Sequence, residues 1–259
     1  MRFRVLGCSG GIGAQARTTS FLVDDDILLD AGTGVEDLTV EEIARIDHVF
    51  LTHSHLDHIC ALPLLVDSAG SLRTRPVTVH ALPETIAALR AHIFNWVIWP
   101  DFTEIPHFDR PYMAFSPMAV GATVNVEAAG FGRRAVRALP ANHTVPALGF
   151  SVSGARGTLV FSGDTSPNDE FWRLVNALPD LRVLVIENAF ANRERDIAVL
   201  AKHLYPVQLA DELAKLQREA RVYVTHLKPA DRALIEREVA AWAERFAPEV
   251  LRRGQVIEV

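Results

Sequence analysis

The sequence predicts an α/β chain in four layers, with two β-sheets packed face to face and helices on both outer sides. Three observations point there. Each half of the 259 residues opens on short strand-like runs and continues into helices. No repeat, low-complexity tract or linker interrupts the chain, so residues 1–259 are read as one unit. The composition, 49% hydrophobic and 22% charged, provides ample material for buried layers.

The N-terminal third reads as β. "FRVLG" (3–7), "SFLVD" (20–24) and "ILLDAG" (27–32) are short apolar runs, and the last two form a hairpin across "DDD". A short helix over 40–46 leads to a buried strand, "HVFLTH" (48–53). "CALPLLVDSAG" has helical spacing and stops at Gly70. "VTVHAL" (77–82) is a strand, and 83–99 reads as a helix with Pro83 at its start. Residues 101–120 carry prolines and aromatics without period and are expected to form an ordered loop or lid. The second half repeats the pattern with "ATVNVEA", "RRAVRAL", "LGFSVSG" and "TLVFSGD". Helix and strand then alternate through "NDEFWRLVNAL", "RVLVIENAF", "PVQLADELAKLQREA", "RVYVTH" and a last helix from Asp231.

Several classes are excluded. No window reaches the roughly 18 apolar residues of a membrane span, and the N-terminal apolar stretch is too short for a signal peptide. A cytoplasmic protein is expected, unless a leader has been removed. Net charge is −6 with an isoelectric point near 5.9, and arginines alternate with acids as on solvated helix faces. No basic run suits a long nucleic acid, so a small-molecule substrate is expected. A homodimer is allowed for. Cys8 and Cys60 form no CxxC pair, which fits a reducing compartment. "GIGAQA" (11–16) imitates a dinucleotide fingerprint, but the strand-like "RTTSFLV" follows where a helix must open. A glycine turn over the sheet edge is the better account.

"LTHSHLDHI" (51–59) carries the chemistry. Imidazole nitrogen and carboxylate oxygen are ligands that zinc accepts at roughly 2.0–2.2 Å. The apolar run before the cluster delivers it to a sheet edge. Residues i and i+2 of an extended segment point the same way, so His53 and His55 can grip one ion. A turn into a helix swings Asp57 and His58 toward a neighbouring position. Two metals need more than these four ligands. His143 in "PANHTVP", Asp164 in "VFSGDTSP" and His226 in "VYVTHLKP" share the same grammar of strand, ligand and turn.

With "NHT", "SGDT" and "THLKP", the H-x-H-x-D-H motif resembles the metallo-β-lactamase superfamily across essentially the whole chain. That resemblance implies a four-layer αββα sandwich with two metals at one edge of its sheets. It implies that His53, His55 and His143 hold one zinc, that Asp57, His58 and His226 hold the second, and that Asp164 bridges them. Manganese or iron would suit the same ligands. Cys60 matches no ligand position.

Within the superfamily, "HIFNWVIWPDF" (92–102), "HTVPALGF", "SGDTSP", "HLYP" and "THLKP" look like the class II cyclic-nucleotide phosphodiesterases. Asp101 stands where that family usually has asparagine. The resemblance implies cleavage of 3′,5′-cyclic nucleotides to 5′-monophosphates by hydroxide attack on phosphorus, with the metals lowering the pKa of water. Asp57 would also orient the nucleophile. His203 in "AKHLYP" would protonate the leaving oxygen, polarised by Glu187, as a similar pair does in the tRNA 3′-processing nucleases. Phe94, Trp96 and Trp99 are expected as a flat wall for a purine, with 92–120 as a substrate-lining helix and lid. Other readings are tRNA 3′ processing, hydrolysis of a lactone or small ester, and a catalytically silent metal-dependent nucleotide-binding protein.

Overall fold

A computed structural model describes residues 1–128 and 130–259. In its first sheet β1 (Arg2–Gly7), β2 (Ser20–Val23) and β3 (Ile27–Leu29) are antiparallel, and the turn Asp24–Asp26 closes the expected hairpin. β4 (His48–Phe50) and β5 (Val77–Ala81) continue in parallel from β3. α1 (Val40–Ile43) precedes β4, α2 (Leu56–Ile59) and α3 (Leu62–Ala69) lie between β4 and β5, and α4 (Pro83–His92) follows β5. A small hairpin, β6 (Pro106–His107) and β7 (Arg110–Pro111), precedes β8 (Met113–Pro117), which joins β5 in parallel.

The second sheet begins with β9 (Thr123–Ala128), β10 (Gly132–Ala141), β11 (Ala147–Gly154) and β12 (Gly157–Phe161), all antiparallel. It continues in parallel through β13 (Leu181–Glu187), β14 (Arg221–Thr225) and β15 (Glu249–Val250). α5 (Asp169–Asn176), α6 (Arg195–Leu200), α7 (Pro206–Leu213) and α8 (Arg232–Trp242) make the connections. β16 (Val256–Glu258) returns to pair with β1 in the first sheet. The orders are β16-β1-β2-β3-β4-β5-β8 and β15-β14-β13-β12-β11-β10-β9.

Burial shows why these elements stack in four layers. Phe3, Phe21 and Phe50 from one sheet meet Phe150 and Phe161 from the other. Phe21 stands edge-on to Phe161 with centroids 5.0 Å apart, and Phe50 to Phe150 at 5.7 Å. The outer face of the first sheet packs Val49 and Val79 under Leu62, Leu65 and Leu89 of α3 and α4. That of the second packs Leu184 and Val224 under Trp172, Leu209 and Ile235 of α5, α7 and α8. Full burial of each such side chain is worth about 1.5–3 kcal/mol. Arg134 of β10 ties the sheets through a buried ion cluster. Its guanidinium donates to Asp24 at 2.9 Å and to Asp26 at 2.6 and 2.8 Å.

Three expectations are corrected. The helix from Pro83 stops at His92 instead of Trp99. Asn95 Oδ1 accepts from the backbone N–H of Val97 at 3.0 Å and of Ile98 at 2.8 Å, and Trp96 sits at φ +63°. A local asparagine turn thus competes successfully with the helix. Residues 101–120 are not loop throughout: 113–117 supply the edge strand β8. The helix expected over 40–46 ends at Ile43. Residues 11–16 open no helix, as expected.

The parallel strands carry the polar residues out at one edge. β4, β12 and β14 each end just before a sequence-predicted ligand, and β13 ends on Glu187. Crevices beyond the carboxyl ends of parallel strands are where α/β sheets place their sites.

Candidate metal centre

His53 and His55 follow β4, and His55 is the N-cap of α2. α2 then carries Asp57 and His58 on its first turn. His143 lies in the turn between β10 and β11. Asp164 follows β12 through Gly163, whose φ is +62°. A Cβ there would come within 2.3 Å of the Leu148 carbonyl, so only glycine lets the strand end in this way. His226 follows β14 directly at φ +68°, in the left-handed region that non-glycine residues seldom adopt.

These turns converge. His53, His55 and His143 bring ligand atoms within 4.8 Å of one another, and so do Asp57, His58 and His226. Asp164 groups with His53 and His58, and again with His143 and His203. Its Oδ2 lies 3.2 Å from His58 Nε2, 3.3 Å from His226 Nε2 and 3.8 Å from His53 Nε2. Asp57 Oδ2 is 3.7 Å from His226 Nε2 and 3.8 Å from His58 Nε2. His55 Nδ1 and His143 Nε2 approach to 3.2 Å. All seven sequence-predicted ligands are therefore brought together.

The donor set fits metal ions. Buried polar atoms in folded proteins nearly always find a partner. Here Nε2 of His53, His58 and His226 is buried and makes no hydrogen bond. Each ring is held from behind: His53 Nδ1 contacts Thr52 Oγ1 at 2.9 Å, His58 Nδ1 contacts Asp30 at 2.8 Å and His226 Nδ1 contacts Thr19 at 3.1 Å. Partners of this kind fix which nitrogen a metal would receive. Burial pushes His143 down to about 4 and His226 to about 3, against the pull of Asp164. Burial also holds His53 well below the usual imidazole range. These rings stand neutral, as ligands must be. For His58 burial acts in the same direction, but the carboxylates of Asp164 and Asp30 outweigh it and raise the ring well above that range.

A family model described as a beta-lactamase superfamily domain matches residues 26–227. The chain belongs to the beta-lactamase superfamily. It is 25% identical over 274 residues to a probable 3′,5′-cyclic-nucleotide phosphodiesterase of Yersinia pestis, covering 87% of this chain and 77% of that one. It is 27% identical over 305 residues to a ribonuclease Z of Natronomonas pharaonis, covering 96% of both. Among solved structures, unliganded yeast PDE1 superposes with a TM-score of 0.82 at 19% identity, covering 100% of this chain and 99% of that one. The αββα layering is thus that of the superfamily.

Beside the ligands, His203 Nδ1 lies 2.9 Å from Glu187 Oε1. Glu187 is fully buried and also accepts from the backbone N–H of Thr165 at 3.0 Å. Burial disfavours a charged His203, but Glu187 outweighs it and raises the ring above its ordinary value. The expected aromatic wall is not here. α4 runs back from the carboxyl end of β5 and carries residues 93–99 away from the ligand edge. Phe94 is 2% exposed and packs on Phe102 and Phe115. Trp99 packs against the same outer layer, and Trp96 faces solvent. His48 and His80 pair with each other inside the fold, while His92 and His107 are exposed. Cys60 joins none of the ligand groups.

Sequence reading missed Asp30, Thr52 and Thr19 behind the ligands. Asp30 had a signal. "ILLDAG" has the same strand–acid–turn grammar as "VFSGDT", and Asp30 sits at φ +58° where that second segment has Gly163 at +62°.

Proposed function

We propose that this hydrolase cleaves 3′,5′-cyclic nucleotides to 5′-monophosphates and holds two zinc ions for the purpose. One is assigned to His53, His55 and His143, the other to Asp57, His58 and His226, with Asp164 between them. Manganese or iron would suit the same donors. Bound ions of this kind supply Lewis acidity and lower the pKa of water.

The chain's own residues supply the rest. Asp57, partly exposed at the rim of the cluster, accepts a proton from the attacking water and orients it toward phosphorus. His203 gives its Nε2 proton to the departing ribose 3′ oxygen. Glu187 accepts from His203 Nδ1, which orients the ring and favours its protonated form. An alkoxide is a poor leaving group, and a proton donor placed beside a metal-ligand cluster is what its departure needs. The observation that carries the assignment is this Glu187–His203 pair, with His203 grouped to Asp164 and His143. The Yersinia pestis relative supports the substrate class.

Ribonuclease Z activity is a second reading, favoured by the likeness to the Natronomonas pharaonis protein. A net charge of −6 argues against a tRNA substrate. Incubation of metal-loaded protein with cyclic AMP, cyclic GMP, a bis(aryl) phosphate, a lactone and a precursor tRNA separates the readings. 5′-Monophosphate from a cyclic nucleotide, abolished by chelator, is the expected result. Turnover of the lactone alone removes phosphodiester chemistry altogether, and cleavage of the tRNA alone replaces the small substrate with RNA.

A further inference from the structure

Arginine provides nearly all the positive charge of this chain, which contains only three lysines, at 202, 215 and 228. Lys215 is remote from the ligands and paired with Glu212 at 2.6 Å. Lys202 donates to Asn142 Oδ1 at 3.3 Å and to the His143 carbonyl at 3.0 Å. Lys228 stands two residues beyond His226 and, like Lys202, joins no ion pair among the described residues; unlike Lys202, whose two contacts are both hydrogen-bond acceptors, it meets one acceptor and one aromatic face. Its Nζ donates to the Gly10 carbonyl at 2.7 Å and lies 5.7 Å from the centroid of the Phe190 ring.

Both anchors touch the candidate centre. A Cβ on Gly10 would approach the His226 carbonyl to 2.4 Å and its Nε2 to 3.1 Å, so Gly10 lies directly against that imidazole. The Phe190 ring is 5.7 Å from the His203 ring, which in turn stacks on His226 at 5.3 Å. The backbone N–H of Lys228 donates to the Ala189 carbonyl at 2.9 Å, locking the turn after β14 to the turn after β13. Phe190, His203, His226, Gly10 and Lys228 thus form one continuous rim.

An ammonium group has three N–H donors. Gly10 takes one, and the aromatic face of Phe190 steadies the charge. Two donors remain for a ligand. We propose that Lys228 binds a non-bridging phosphoryl oxygen of the substrate, with Gly10 and Phe190 as the positioning residues that hold its ammonium at the rim. The role depends on the phosphodiesterase activity proposed above. A cyclic phosphodiester carries one negative charge, and more gathers on its equatorial oxygens as water adds. The monophosphate product approaches two. A fixed cation therefore gains more from transition state and product than from substrate. Lysine serves here as a point charge.

The test uses the metal-loaded protein with Lys228→Met, Lys228→Arg and, as a remote charge control, Arg156→Gln. Turnover of cyclic AMP and of bis(4-nitrophenyl) phosphate is measured beside calorimetric binding of 5′-AMP, metal content and melting temperature. Lys228→Met is expected to lose about 10²-fold in kcat/KM on both diesters, the scale for removing one transition-state donor. It should bind 5′-AMP at least about tenfold more weakly with metal content unchanged, a change of roughly 1.4 kcal/mol. Lys228→Arg should retain part of both, and Arg156→Gln should match wild type. Should Lys228→Met melt early, Lys228→Arg decides: a loss as large as that of Met shows that the charge is not what binds, and overturns the proposal. Wild-type turnover and 5′-AMP affinity in Lys228→Met would overturn it too, while leaving the phosphodiesterase reading intact. A wild-type protein that cleaves neither diester and binds no 5′-AMP sinks that reading instead.

Discussion

His203 and Glu187 meet at 2.9 Å through Nδ1 and Oε1, on a carboxylate with no exposed surface. The backbone N–H groups of Thr165 and Leu204 hold the same oxygen at 3.0 and 3.3 Å. The carboxylate is therefore held independently of the imidazole, which it orients through Nδ1. His203→Ala is expected to lower kcat on cyclic AMP by about 10²–10⁴-fold, the range for a lost general acid. The loss should be far smaller on bis(4-nitrophenyl) phosphate, whose leaving group needs little protonation. Equal losses on the two substrates would remove the acid role.

Asp30 governs His58 from behind. Its Oδ2 takes the Nδ1 proton at 2.8 Å, and Thr52 donates to the same carboxylate from its backbone N–H at 2.8 Å and its hydroxyl at 2.9 and 3.1 Å. Asp30→Ala leaves every proposed ligand in place. It should still weaken metal affinity about 10–100-fold, as loss of a ligand's supporting partner does. Competition with a chromophoric chelator measures this; unchanged affinity would show that the ring is oriented by something else.

Arg134 makes a stability prediction independent of function. Arg134→Met leaves Asp24 and Asp26 buried without their cation. Breaking a buried ion cluster this way costs about 3–5 kcal/mol. Urea unfolding should show the loss as a lower midpoint with an unchanged slope. A variant as stable as wild type would mean that water replaces the guanidinium.

His80 gives a pH dependence. Burial holds its pKa near 4, and the neighbouring His48 adds to the effect. The unfolded ring titrates near 6.5. The folded state is thus the weaker proton binder, so the contribution is complete above about pH 6.5 and is lost as pH falls toward 4. Two and a half pH units correspond to at most about 3 kcal/mol. His80→Leu should flatten the fall in unfolding free energy between pH 6.5 and 4, measured against wild type in the same buffers. Parallel curves would place the acid sensitivity elsewhere.

How much of this could be read from residues alone follows from what each feature rests on. The strand ends were legible because an apolar run followed by His or Asp and a turn is a local pattern. "VFLTHSHLDH", "LVFSGD" and "VYVTH" all show it, and all three converge. Face-to-face sheets followed from strands leading each half. The end of α4 was read too late: residues 93–99 are β-branched, aromatic or Asn, all weak helix formers, and the Asn95 side chain there caps a turn instead of continuing the ladder. The aromatic wall failed with it. Once the helix stops at His92, Phe94 turns into the outer core and Trp96 into solvent. β15 and β16 are two and three residues long and owe their existence to neighbours distant in sequence. Asp30 ends a strand in the same local pattern, but its role appears only when His58, 28 residues later, folds back on it.

Metal stoichiometry is the decisive measurement. Protein loaded with zinc and freed of excess should carry two ions per chain by elemental analysis, and Asp164→Ala, which removes the carboxylate proposed to lie between the two ligand sets, should hold fewer. No bound metal in the loaded wild type, or a full complement without Asp164, would contradict the shared centre on which the proposed chemistry depends.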